Sequence, residues 1–384
     1  MPIPVFALML VVFSFTTGEF VIAGILPDVA TDLAVSVPAA GLLVTAYALG
    51  MIVGGPVVTV LTARVARKLL IVGLVVVSVI GNVGSAAAPN YPVLLVSRFV
   101  AGLVVATFFA VAIATAVSMA SPDKQASSVA KVALGMNLGI ILGTPIGTFI
   151  GHNFGWRTTF ATVAAISIAA LLLVLRFVPV QPAIATSSIL GELRVLANRD
   201  VQLAIALTAL GNVGVVAVFT FITPLLTDVS GFTAAAIPVL LLVYGAGAVV
   251  GNFFGGWLSD KALMPSLLGL LSALGATLAL FWLVSEISVV AVMLTFGIGV
   301  LAFAIIPGMQ TRVTTAASSA PTLAVAVNAS GFQLAAAFAA WLGGQVINTG
   351  LGLRSIYPVA ALLTLLGLAV AAYIVRRDRQ PARA

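Results

Sequence analysis

Two charges stand where the sequence is otherwise fit for hydrocarbon. Glu19 lies in FSFTTGEFVIAG (13–24), and the nearest other charge along the chain is Asp28. Arg98 lies in LLVSRFVAG (94–102). Ionisable side chains inside a membrane are costly, rare and usually functional. Desolvation favours the neutral acid, whereas a neighbouring guanidinium favours the carboxylate. A group under both influences suits reversible proton uptake; the alternative is a permanent ion pair that pins two helices. Glu19 lies 14 residues into its apolar run, or about 21 Å. Arg98 lies six residues from the opposite start of its own, which puts it at about the same level of a roughly 30 Å core.

Other polar side chains in apolar runs are Asn137, Asn212, Asn328 and Gln333. They could bond a substrate, although bonding between helices is the simpler use. Phe15, Phe20, Phe108, Phe109, Phe219 and Phe221, with Tyr47 and Tyr244, are candidates for an aromatic cavity suited to amphiphilic compounds rather than hydrated sugars. Asp28, Asp32 and Asp228 are expected in solvated loops, and His152 at an interface. The chain has no cysteine and one histidine, so no thiol chemistry or histidine metal cluster is expected. No Gly-x-x-x-x-Gly-Lys-Ser/Thr string is present. No nucleophile or metal constellation supports an enzyme, and no cofactor is implied.

The elements that must hold these residues follow from composition. Of 384 residues 62% are hydrophobic and 7% charged, against about 25% charged in soluble domains. Apolar runs of 18 or more residues recur, each long enough to cross a bilayer as a helix. The short alternating segments of a membrane barrel are absent. The first run lacks a basic leader and a small-residue cleavage site, so it reads as an uncleaved span. About twelve spans result, forming an all-α membrane protein. A six-helix half at 1–178, a linker at 179–200 able to carry a short amphipathic helix, and a second half at 201–384 with a basic tail are expected. With both termini cytoplasmic, all 17 basic residues except Arg98, Arg157 and Arg354 fall in inner loops or the tail, as the positive-inside rule requires. The net charge of +7 therefore reflects topology rather than a nucleic-acid partner.

The halves echo one another at an offset of 197 residues. Tyr47 matches Tyr244, Gly50 matches Gly247, Gly54 matches Gly251, Leu61 matches Leu258, Arg64 matches Lys261 and Pro27 matches Pro224. Parallel half-repeats are one transporter architecture, with the substrate site near midplane. The Gly-x-x-x-Gly pairs serve close helix packing or, alternatively, a sliding seam between halves.

These features resemble the major facilitator superfamily, in its twelve-span drug:proton antiporter branch. GGWLSDK (255–261) matches a family loop motif at Gly256, Leu258, Asp260 and Lys261. The first-half copy keeps Leu61, Arg64, Arg67 and Lys68 but has Ala63 where aspartate is usual. Arg98 and Gly102 match the fourth-span motif. GIILGTPIGTFIG (139–151) resembles the antiporter motif of the fifth span, with Gly139, Gly143, Pro145 and Gly147 in place and Thr144 inserted before the proline. GWRTTF follows, as is usual for the branch, and TTGEFVIAGILPDVATDL resembles chloramphenicol-exporter and arabinose-efflux-like members. The resemblance implies two six-helix bundles related by a pseudo-twofold axis along the membrane normal. It implies a monomer in a bacterial inner membrane that exports a chloramphenicol-like drug against protons by alternating access. Sugars or other small metabolites are the alternative cargo, and a transport-inactive sensor is a third reading. Glu19 and Arg98 would carry proton coupling, the basic loop residues gating, and the bend at Pro145 a barrier to proton leak.

Overall fold

The computed structural model describes residues 1–62, 64–121, 124–181, 198–317 and 321–378, with side chains described outside 321–327. Ala63, residues 182–197 of the expected linker and the tail from 379 lie outside the described residues. The described elements are helical, and local sequence explains where they begin. Helix α1 (Ile3–Phe20) stops at Val21, and α2 (Ile22–Asp32) continues the first span. Helix α3 (Val37–Leu61) starts where the Ser36 hydroxyl accepts from the Ala39 N–H, an N-cap worth about 1 kcal/mol. Helix α4 (Arg67–Ala86) is followed by α5 (Tyr91–Leu103), capped by the Asn90 side chain, and by α6 (Val105–Ser118).

Helix α7 (Gln125–Leu138) passes through a π turn at Gly139–Gly143 into α8 (Thr144–Phe154). Pro145 has no N–H to donate, and the wide turn accommodates the missing bond without ending the span. The chain then reverses at Gly155, whose φ of 87° favours glycine, into α9 (Trp156–Phe177). The later helices are α10 (Arg199–Thr220), α11 (Ile237–Val284), α12 (Ser288–Ala316), α13 (Pro321–Val346) and α14 (Ile356–Asp378).

Eleven described stretches are long and apolar enough to cross a membrane. One of them, Ala234–Val284, has 51 residues. At 1.5 Å per residue it is about 75 Å long, more than twice a bilayer core. Its backbone leaves helical geometry at Ala262 (φ −159°, ψ 85°), between the two spans expected there. Divided at that break, the described residues make twelve crossings. The chain forms two compact units, Met1–Thr186 with Ala234–Leu241, and Ser187–Thr233 with Leu242–Ala384.

Each unit is built on the same packing register. In the first, a methyl group on Gly50 would collide with the Phe99 carbonyl, on Gly54 with that of Leu103, and on Gly102 with that of Tyr47. In the second, Gly247 meets Phe296, Gly251 meets Val300 and Gly299 meets Tyr244 in the same way. All three contacts reappear at the 197-residue offset. These glycines therefore join α3 to α5, and α11 to α12, each pair within one unit. That is the close helix packing expected first for the glycine pairs, rather than the alternative of a seam between halves.

Candidate functional site

Arg98 is fully buried in the first unit. Its Nη2 donates to the Gly18 carbonyl at 2.6 Å. Its guanidinium carbon lies 4.4 Å from the Tyr47 ring centre and 5.2 Å from that of Phe160. Four helices thus meet at one charge: α5 supplies it, α1 a carbonyl, α3 and α9 the two aromatic faces. Rings over a desolvated cation contribute about 2 kcal/mol or somewhat more each, against a burial cost of several kcal/mol for the ion. The Glu19 carboxylate, one residue beyond the bonded carbonyl, acts electrostatically on both Arg98 and Tyr47. Tyr47 is itself fixed by donating to the Phe15 carbonyl at 3.2 Å.

The helix carrying Glu19 is supported from behind. A methyl on Gly135 would strike the Met9 carbonyl, on Gly139 Thr16, on Gly143 Thr17, on Gly147 Val21 and on Gly151 Ile25. A glycine every fourth residue makes one flat face, along which α7 and α8 lie directly on α1 and α2. The expected antiporter-motif residues Gly139, Gly143 and Gly147 belong to this ladder, on either side of the Glu19 turn. Pro145 is buried beside them.

The second unit holds the counterpart of the Arg98 pocket, and there it is a cavity. Among its lining residues are Val218, Phe219, Ile222, Tyr244, Thr295 and Tyr357. At the same offset these correspond to Val21, Ile22, Ile25, Tyr47, Arg98 and Phe160. Thr295 stands in place of the arginine, its hydroxyl turned back to the Ala291 carbonyl at 2.7 Å. The cavity that remains, about 10 Å³, holds about one water at most.

The other expected residues are placed as follows. Phe15 and Phe108 pack on one another at 4.9 Å in the core of the first unit, and Phe109 borders that cluster. Phe219 packs on Tyr244 at 4.9 Å beside the cavity of the second unit, and Phe221 is fully buried. Phe20 and Asn137 are half-buried, and Asn328 and Gln333 are buried. Asn212 donates to the Thr208 carbonyl at 2.7 Å and to Met309 Sδ at 3.3 Å, which is helix-to-helix bonding.

In the first loop motif Arg67 donates to the Ala114 carbonyl and to Gln181, and Lys68 to the Leu175 carbonyl, while Arg64 is exposed. In the second, Asp260 and Lys261 are exposed, with Lys261 Nζ 3.8 Å from the Trp257 ring centre. Gly256 faces open space, whereas its neighbour Gly255 packs against Ala304. Asp28 and Asp32 are not loop residues but lie on α2. Asp28 pairs with His152 at 3.2 Å, and Asp32 with Arg157.

Sequence reasoning missed Asn82, Ser78 and Phe160. Asn82 is 3% exposed, its Nδ2 donating to the Ser78 carbonyl at 2.9 Å. Its signal was available: an amide in VIGNVGSA, flanked by Gly81 and Gly84, whose bare faces admit Ala101 and Ser97 of α5.

Fold and site together define a multi-span helical membrane protein. A family model described as Major Facilitator Superfamily matches residues 8–322, and the chain belongs to that superfamily. It is 33% identical over 380 residues to the inner membrane transport protein YdhP of Escherichia coli (strain K12), covering 98% of this chain and 97% of the relative. It is 33% identical over 360 residues to a chloramphenicol resistance protein of Streptomyces lividans, covering 92% and 90%. Among solved structures, a bacterial homologue of the human lysosomal transporter Spinster, inward-facing and unoccupied, superposes with a TM-score of 0.79 at 18% identity, covering 99% of this chain and 98% of the other. The chain is thus a major facilitator fold.

Proposed function

We propose that the protein exports a small amphiphilic compound of the chloramphenicol type in exchange for protons, by alternating access. The observation that carries this reading is the placement of Glu19 beside Arg98: an acidic side chain deep in an apolar span follows the very residue whose carbonyl the fully buried guanidinium holds. Protonation of Glu19 from outside loosens its hold on Arg98 and disfavours bound substrate. Deprotonation toward the inside restores the pair and the next loading. Substrate and protons are the partners, and the protein works as a monomer in the bilayer. The positive-inside distribution supports cytoplasmic termini in a bacterial inner membrane, with Asp28, Asp32 and Arg354 facing out. The two six-helix halves and their linker serve as the rocking bodies.

One proton entering against a neutral compound leaving moves one net charge. That is worth about 2.3 kcal/mol per 100 mV, or a roughly 50-fold concentration ratio before any pH gradient is added. A single carboxylate therefore suffices. The chloramphenicol resistance relative supports a drug as cargo. The test is transport in proteoliposomes under an imposed proton gradient, with chloramphenicol, a cationic dye and arabinose as cargo. Wild type is expected to move chloramphenicol only with the gradient, and Glu19→Gln to lose gradient-driven movement. Gradient-driven export by Glu19→Gln at the wild-type rate would sink the assignment, and accumulation of arabinose alone would sink the cargo class.

A further inference from the structure

The Arg98 site holds polar atoms that its described bonds leave over. Nε and Nη1 of Arg98 are buried donors without a hydrogen-bond partner. Oδ1 of Asn82 is a buried acceptor without one. The amide orientation is settled by chemistry, because Nδ2 faces the Ser78 carbonyl, which can only accept. Both side chains border the same residue of α1. Arg98 holds the Gly18 carbonyl, and Asn82 Oδ1 lies 3.5 Å from the point where a Gly18 methyl would be. Glu19 is the next residue. Spare donors and a spare acceptor thus flank one backbone unit, at a depth where water is scarce and unpaired polar groups are unfavourable.

We propose that Asn82 is the second acceptor of the Arg98 guanidinium, taking it over when Glu19 becomes protonated. The carboxylate competes for the guanidinium while ionised. Once it is neutral, Arg98 still needs acceptors, and the amide oxygen of Asn82 supplies one without a charge of its own. Asn82 is accordingly a positioning residue that sets how readily Glu19 takes a proton. The proposal rests on Glu19 being the titrating group. The titratable side chains facing that group are Arg98 from α5 and Tyr47 from α3. Helix α4 brings Asn82 and Ser78, α9 brings Phe160 and Val163, and the α7–α8 face behind brings the glycine ladder.

The experiment follows the reaction of Glu19 with a fluorescent carbodiimide, which modifies protonated carboxyl groups in apolar surroundings, across pH in the full-length purified protein. Glu19→Gln defines the background. If it is labelled like wild type, Glu19 is not the titrating group, and the proton-coupling reading fails before the Asn82 assignment is reached. With that control clean, Asn82→Leu removes the second acceptor. The labelling midpoint is expected to move about one pH unit down, a tenfold loss of proton affinity. The near-isosteric Asn82→Asp offers Arg98 a rival carboxylate, and the Glu19 midpoint, read against the Asn82→Asp/Glu19→Gln double variant as its own background, is expected to move up by a similar amount. A packing role would disturb both variants alike, so opposite displacements are the signature. Midpoints that stay at the wild-type value, or move the same way in both, overturn the assignment. Asn82→Ala replaces Asn82→Leu if the latter does not fold, with the same expectation.

Discussion

The two halves fill one shared register with opposite contents. The first fills the position with a guanidinium between Tyr47 and Phe160. The second leaves a small cavity between Tyr244 and Tyr357, with Thr295 at its edge. The packing of the second span on the fourth is nevertheless duplicated, down to which carbonyl each of three glycines meets. Scaffold and chemistry are therefore separable here. Close packing between the second and fourth spans builds a half, and it does not require the charge. The charge is an addition to one copy, and so are the glycine ladder behind it and the acid beside it.

The severest way to break that comparison is to force the copies to be alike. Thr295→Arg would place a guanidinium in a cavity with room for about one water and no acid at the position matching Glu19, which is Val216. An uncompensated buried charge costs about 3–5 kcal/mol. Thr295→Arg is expected to lose most of its folded yield in detergent, measured by gel filtration and thermal melting. A variant that melts like wild type would mean the second site accepts charge, and the asymmetry would lose its meaning.

Removing the charge from the first copy should affect transport rather than assembly. Arg98→Met keeps length and apolar packing while deleting the cation. Gradient-driven transport is expected to fall about 100-fold, equivalent to roughly 2.7 kcal/mol in coupling, with melting much less changed. Loss of folding with retained coupling in the surviving fraction would reverse the roles assigned to the charge.

The shared scaffold makes a matched prediction. Gly54→Ala and Gly251→Ala each push a methyl into a backbone carbonyl of the facing helix, so each should cost about 1–3 kcal/mol. The two losses should agree within about 1 kcal/mol if the register is truly repeated. Gly256→Ala meets open space, and is expected to be neutral or slightly stabilising, because alanine suits a helix better. Thermal melting of the three variants side by side checks all of this.

How much of this could be read from residues follows the same division. The apolar runs gave the spans, and Tyr47/Tyr244 with the paired glycines gave the repeat, because packing that close demands glycine at fixed spacing. Glu19 and Arg98 were legible because charge in an apolar run is conspicuous. What escaped was three-dimensional. Phe15 and Phe108 look like any cavity aromatics, and only the facing helices reveal them as core. Asp28 and Asp32 read as loop residues because they follow the first apolar run, yet α2 continues through Pro27 to Asp32. Asn82 passed unnoticed because its importance depends on α5 lying against Gly81 and Gly84.

A smaller prediction concerns the cavity itself. Thr295→Val removes the hydroxyl that turns back to Ala291 and keeps the shape, so it should change stability by less than about 1 kcal/mol and leave transport intact. A transport defect in this variant would show that the second copy carries function after all.

The smallest expected effect lies where the copies share an arginine but differ in its acid. Arg157 and Arg354 match at the 197-residue offset, and both donate to carbonyls near the end of a neighbouring helix, Ala88 in one unit and Trp282 in the other. The acid is Asp32 of α2 in the first unit, but Glu286 in the second. Hydrogen bonds from Arg157 and then Trp156 hold the Asp32 carboxyl below its ordinary value of 3.8. The stability this contributes is therefore complete above that value and is lost as pH falls through the lower folded one. Asp32 is largely exposed, so solvent screening limits the effect to less than about 0.5 kcal/mol. Asp32→Asn should melt slightly lower than wild type at neutral pH, and the gap should close as the pH falls below about 4. Melting curves at pH 7 and pH 3 decide it: a gap that widens in acid would mean Asp32 contributes through its neutral form, and the arginine clamps would then differ in kind as well as in origin.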